Sequence, residues 1–104
     1  MKLLKETESH TIFAWNDEEF ILDTENNPLH GMIENSCFDI MGVERSILSV
    51  SNTLARRLAE ITEAVEKGNH ASSVPDTVQL TELTTRRTSY YQELTKLVHL
   101  LKNL

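Results

Sequence analysis

The sequence predicts a mainly α protein: a long antiparallel helical hairpin over about residues 32–67 and 76–104, preceded by a small N-terminal β-hairpin or irregular cap. Apolar residues recur every three or four positions in two long stretches, and a breaker-rich segment around Ala71 and Ser72 separates them. Residues 1–27 differ, because short runs rich in β-branched and aromatic residues alternate there with polar ones. A chain of 104 residues fits a single domain, with the cap in 1–27 and the helical hairpin in 28–104.

Two apolar runs between His10 and Leu22 predict a β-hairpin, with residues 16–19 as a four-residue loop. The alternative is a short helix that begins at Asn16, because Asn followed three residues later by Glu19 is a capping-box pattern. An isolated two-stranded hairpin is marginal in water, so it must pack on the helices. Aromatic side chains, Trp15 and Phe20 among them, are the expected anchors.

The first helix shows a heptad pattern when Ile33 is taken as position a. Met41 and Leu48 at position b widen the apolar arc to roughly 160°. Gly42 costs about 1 kcal/mol relative to Ala inside a helix, so a break near this residue is an open alternative. Gly68 predicts the C-terminal end of the helix. The aliphatic residues at position a are Ile33, Ile40, Ile47, Leu54 and Ile61.

The second helix is predicted to begin at the capping pair of Asp76 and Gln79. Its apolar seam is broadened at position e by Tyr91 and Val98. Threonines recur at position b, which indicates a half-buried flank or, alternatively, a threonine-lined binding face. The seam consists of Leu80, Arg87, Leu94 and Leu101 at a and Leu83, Tyr90, Leu97 and Leu104 at d, and the threonines are Thr81, Thr88 and Thr95.

A loop centred near residue 72 fixes which residues face each other in an antiparallel hairpin. The predicted layers include Ile40 opposite Leu104, and one layer places Arg57 opposite Arg87. Burying two guanidiniums in a seam without carboxylates lowers the stability of the fold, because neither charge is compensated. Either both arginines turn outward to glutamates such as Glu60, or they hold a carboxylate or phosphate of a partner between them.

Two helices cannot bury an arc of roughly 160° against each other. The N-terminal segment, a second copy or a different protein must cover the remainder, and we expect a homodimeric four-helix bundle. The residues expected at a partner or dimer interface are Trp15, Phe20, Met41, Leu48, Arg57, Leu58, Arg87, Tyr90, Tyr91 and Val98.

Composition narrows the classes of function. A net charge of −6 and a pI near 5.1 disfavour direct binding to nucleic acid or an anionic membrane. The single cysteine, Cys37, cannot form an internal disulfide, which predicts a reducing, cytoplasmic location. No spacing of side chains predicts a metal site, a cofactor, a small-molecule substrate or a catalytic set.

The segment His99-Leu100-Leu101-Lys102-Asn103 resembles the His-x-x-Lys-Gly core of histidine phosphotransfer domains, with asparagine in place of the glycine. That resemblance implies a phosphorylated His99, and an acidic inhibitor of a nucleic-acid-binding protein is the other alternative. The function that we expect is a non-enzymatic protein–protein interaction module. Its class would be a small acidic cytosolic chaperone, adaptor or accessory factor of a secretion system or phage.

Overall fold

The computed structural model describes residues 1–68 and 77–104, and it is a three-stranded antiparallel sheet followed by two long helices that pack on each other. Its dimensions are 65 × 22 × 19 Å. The predicted mainly α class is confirmed, whereas the predicted loop around Ala71 and the capping residue Asp76 lie outside the described residues. The elements are β1 (Lys2–Glu6), β2 (His10–Trp15), β3 (Glu18–Asp23), α1 (His30–Glu66) and α2 (Thr77–Lys102).

The N-terminal sheet has β2 at its centre, paired with β1 on one side and β3 on the other. The predicted β-hairpin is confirmed, so the alternative helix at Asn16 is wrong. Its loop is shorter than predicted, because Asn16 and Asp17 have φ values of 51° and 63° and form a two-residue turn. Positive φ at both central residues suits the twist of a tight hairpin, and Asn and Asp tolerate it. The sequence prediction missed β1, where only two apolar residues stand among charged ones.

The core lies where the inner face of the sheet meets both helices. Alternation along the strands turns Phe13 and Leu22 inward, and both are almost completely buried. Phe13 also makes an edge-to-face contact with Phe38 of α1, with ring centroids 5.2 Å apart. The buried cluster consists of Phe13, Leu22, Cys37, Ile40 and Leu101.

Helix α1 is continuous through Gly42, so the alternative of a break there is wrong. The packed seam on both sides of the glycine holds the helix together, and the Ser46 hydroxyl donates a hydrogen bond to the Gly42 carbonyl at 3.1 Å. The helix ends as predicted: Gly68 has a φ of 65°, and the Lys67 N–H donates to the Glu63 carbonyl.

The predicted layer of Ile40 and Leu104 is wrong. Leu101 belongs to the buried cluster that contains Ile40, while Leu104 is 43% exposed. The reason is that α2 ends at Lys102, so Leu104 lies beyond the helix and no longer follows the heptad geometry.

Burial changes along the hairpin. In α1 the buried side chains run from Cys37 to Leu54, and no residue of 55–68 or 78–100 is buried before Leu101 near the end of α2. We call the part next to the strands, residues 30–54 and 91–102, the sheet end. The part formed by residues 55–66 and 77–90 is the open end.

Candidate functional site

One side of the hairpin carries almost no charge, and we call it the neutral face. It is formed by positions b and e of both helices, which the heptad geometry places on the same side of each seam. Within the described parts of α1 and α2 between residues 41 and 98, Glu44 is the one charged residue at these positions. The neutral face consists of Met41, Leu48, Ser51, Ala55, Leu58, Thr62 and Val65 of α1 and Thr81, Thr84, Thr88, Tyr91, Thr95 and Val98 of α2.

A groove between the helices lies in this face. Leu48 and Tyr91 stand on its two walls, and they are 61% and 51% exposed. A second depression, lined by Met1, Met41 and Arg45, continues the groove toward the strands and shares Leu48 with it. Further along α1 the apolar surface continues in Leu58 and Val65, which are 54% and 62% exposed. The groove between Leu48 and Tyr91 has a volume of about 330 Å³ and is lined by Glu44, Ile47, Leu48, Ser51, Tyr91 and Leu94.

Four threonines of the neutral face turn their hydroxyls toward their own helix. In α2 the Thr84, Thr88 and Thr95 hydroxyls donate to the carbonyls of the residues four positions earlier, at 2.8 to 3.0 Å. In α1 the Thr62 hydroxyl donates to the Leu58 carbonyl at 3.0 Å. These internal hydrogen bonds lower the cost of removing the hydroxyls from water, since burial no longer leaves a donor without a partner. The face is therefore better suited to burial than its threonine content indicates.

Glu44, the charged residue of the neutral face, is already paired. The α-amino group of Met1 contacts its carboxylate in an ion pair and hydrogen bond that joins β1 to α1. The pairing offsets the negative charge at this point of the groove.

The opposite side of the hairpin is charged, and Arg57 points there. The Arg57 guanidinium donates to the Glu60 carboxylate at 3.2 Å, and both side chains are about two-fifths exposed. This is the outward arrangement that the sequence left open as one alternative. Arg87 is half-buried. A groove on this charged side, of about 290 Å³, is lined by Thr53, Arg57, Gln79, Glu82, Leu83 and Arg86.

The residues expected at an interface fall into four groups. Phe20, Met41 and Val98 pack against the buried cluster, so folding of the chain itself accounts for part of their burial. Trp15 lies under the ammonium of Lys102, whose Nζ is 5.6 Å from the ring centroid. Leu48, Leu58 and Tyr91 are exposed, while Arg57, Arg87 and Tyr90 are half-buried.

The interface residues predicted from the sequence did not include Ser51, Ala55 and Val65. Their signal was present in the heptad: positions b and e of α1 repeat with the three- and four-residue spacing of a second seam.

Groups with potential chemistry lie apart from the neutral face. Cys37 is fully buried, and burial raises the pKa of its thiol to about 11. His99, on the exposed surface near the end of α2, has an Asn103 amide against its ring. Within residues 1–68 and 77–104, no group of three or more His, Cys, Asp or Glu side chains could hold a metal ion. Neither helix, as far as it is described, has the length and apolar character needed to cross a bilayer.

The fold and the neutral face define a helical hairpin that is closed at one end by a small sheet and has an uncharged side. No family model, curated protein or solved structure matches the chain.

Proposed function

We propose that this chain is a non-enzymatic protein–protein interaction module, a cytoplasmic chaperone or adaptor, whose binding surface is the neutral face. The supporting observation is the segregation of charge. A quarter of all residues are charged, yet the face from Met41 to Val65 on α1 and along the facing part of α2 carries only Glu44. The cores of protein interfaces are depleted in charge, and contiguous exposed apolar surface marks interaction sites.

The shape of the face favours a helical partner. The groove between Leu48 and Tyr91 runs along the helix axes, which suits an amphipathic helix or a second helical hairpin. The two alternatives from the sequence, phosphotransfer through His99 and inhibition through acidic charge, leave this face without a use.

Two matched leucines test the proposal. Leu48 on the neutral face is 61% exposed, and Leu100 on another side of the hairpin is 58% exposed. A Glu side chain is tolerated at both places in the isolated chain because each position is largely in water. We expect Leu48→Glu to remove the complexes that the tagged chain forms in its native host, and Leu100→Glu to leave them unchanged.

The measurement is the intact mass and stoichiometry of those complexes, together with circular dichroism to show that both variants keep their helix content. The proposal is wrong if the two variants retain the same complexes in the same amounts as the wild-type chain.

A further inference from the structure

Helix α1 carries two apolar seams, which lie about 100° apart around the helix axis. Positions a and d form the first seam, which packs on α2 and is exemplified by Ile47. Positions b and e form the second seam, from Met41 to Val65, which lies on the neutral face. A helix in a square four-helix bundle contacts two neighbours at about a right angle, so this is the arrangement that a bundle requires.

The second seam of α1 is complementary to itself when it is reversed. With Ser51 of one copy opposite Ala55 of another, Leu48 lies opposite Leu58, and Met41 lies opposite Val65. Large residues thus meet large ones, and the two small residues meet at the centre, where two helices approach most closely.

The charges around this reversed seam are also compatible. Glu44, whose carboxylate already bonds the Met1 α-amino group, falls opposite the uncharged Thr62.

The neutral side of α2 places only uncharged residues opposite each other in the same reversed arrangement. With Thr88 of one copy opposite Tyr91 of the other, Thr81 faces Val98 and Thr84 faces Thr95. The centre of this pattern lies between Thr88 and Tyr91, and the centre of the α1 pattern lies between Ser51 and Ala55.

The two centres lie at the same height in the hairpin, because Ser51 and Tyr91 line the same groove. One two-fold axis through this point therefore satisfies both helices at once. Every residue pair of α2 in this arrangement is uncharged, so α2 is compatible with the axis that the α1 pattern defines.

The area fits a stable dimer. The seam from residue 41 to residue 65 is about 36 Å long, and two adjacent helices are about 20 Å wide, which gives about 700 Å² on each copy. The total of about 1,400 Å² lies within the range of specific protein interfaces. We propose that the neutral face is occupied by a second copy of this chain, packed antiparallel about this axis as a four-helix bundle; this rests on the proposed function and names its partner.

Disulfide cross-linking of the full chain tests both the dimer and its direction. Ser51→Cys and Ala55→Cys are small changes at exposed or half-exposed positions, and the native Cys37 is buried. Equal amounts of the two variants are mixed and mildly oxidised. We expect the 51–55 cross-linked dimer to exceed each homodisulfide at least about fivefold, because only that pair faces across the axis.

Ser89→Cys, on the charged side of α2, measures the background of cross-linking by random collision. The proposal would be overturned if the 51–55 cross-linked dimer were no more abundant than this background. It would also be overturned if the chain sedimented as a monomer up to about 100 µM, because even a weak specific dimer associates in that range. An excess of 51–51 and 55–55 homodisulfides would also overturn it, since these form in a parallel arrangement.

The outcomes separate this inference from the proposed function. If the chain is monomeric but Leu48→Glu releases a different protein that Leu100→Glu retains, the second copy is wrong and the interaction function stands. If the chain is monomeric and both variants behave like the wild-type chain, both proposals are wrong.

Discussion

The sheet end and the open end of the hairpin share one heptad pattern and differ in how far they bury it. Ile40 and Ile61 both occupy position a of α1, yet Ile40 is fully buried and Ile61 is only half-buried. At the sheet end a third layer, with Phe13 at its centre, lies over the two helices. The comparison shows that periodicity determines which side of a helix is apolar, whereas the number of packed layers determines whether that side is buried.

The largest expected difference between the two ends comes from the same substitution at these two positions. Ile40→Ala should lower the free energy of unfolding by about 3–5 kcal/mol, because it leaves a cavity in a closed core. Ile61→Ala should cost about 1–2 kcal/mol, since less apolar surface is buried there. Denaturant unfolding at the lowest workable protein concentration measures both, because association then contributes least. Equal losses at the two positions would show that the open end is as well packed as the sheet end.

The second prediction concerns the thiol of Cys37 at the sheet end. Burial raises its pKa from 9.0 to about 11, so the unfolded chain loses this proton at lower pH than the folded chain. The wild-type chain should therefore lose stability as the pH rises from about 9 to about 11, by a total of about 2–3 kcal/mol.

Cys37→Ala is the control for that pH dependence. It lowers stability at every pH through a small cavity, but it should lack the additional decrease above about pH 9. Urea unfolding between pH 8 and pH 11 compares the two chains. Parallel curves would mean that the thiol is accessible to water in the folded state.

Much of the fold could be predicted from sequence because it depends on the local periodicity of apolar residues and on residues that end a helix. The heptads located α1 and α2, Gly68 marked the end of α1, and alternation in residues 10–22 gave two of the three strands. Strand β1 was not predicted because it forms through tertiary pairing with β2. Its own sequence, Lys2–Glu6, is mostly charged and carries little strand signal.

The candidate site was predictable only in part. An apolar arc too wide for one partner helix predicts apolar side chains that the hairpin itself does not cover. Three of them, Leu48, Leu58 and Tyr91, are exposed. The arginine layer shows the limit of this reasoning, because Arg57 sits at a seam position and still reaches Glu60 at the surface. Long side chains with a charged end can leave a seam that their Cα atoms face, so heptad position alone does not determine their environment.

A smaller effect is expected at Gly42, within the sheet end on the continuous helix α1. A Cβ added at this position meets no atom within 4 Å, so alanine fits without strain. Gly42→Ala should raise the free energy of unfolding by about 1 kcal/mol, since alanine loses less backbone entropy in a helix. Gly68→Ala is a matched contrast with the opposite sign, because Gly68 has a φ of 65°. Thermal unfolding measures both, and destabilisation by Gly42→Ala would indicate a bend in α1 at this point.

The smallest expected effect is at the charged side of the open end. Glu60→Gln removes the 3.2 Å ion pair to Arg57, and it should change the free energy of unfolding by no more than about 0.5 kcal/mol, because both side chains are well hydrated. The Arg57→Gln variant and the double variant complete a thermodynamic cycle, and the coupling should fall further in 1 M salt. A guanidinium that lost its carboxylate inside a closed core would instead cost about 3–5 kcal/mol. A loss of that size would therefore place a further layer over Arg57, on the side of the hairpin opposite to the neutral face.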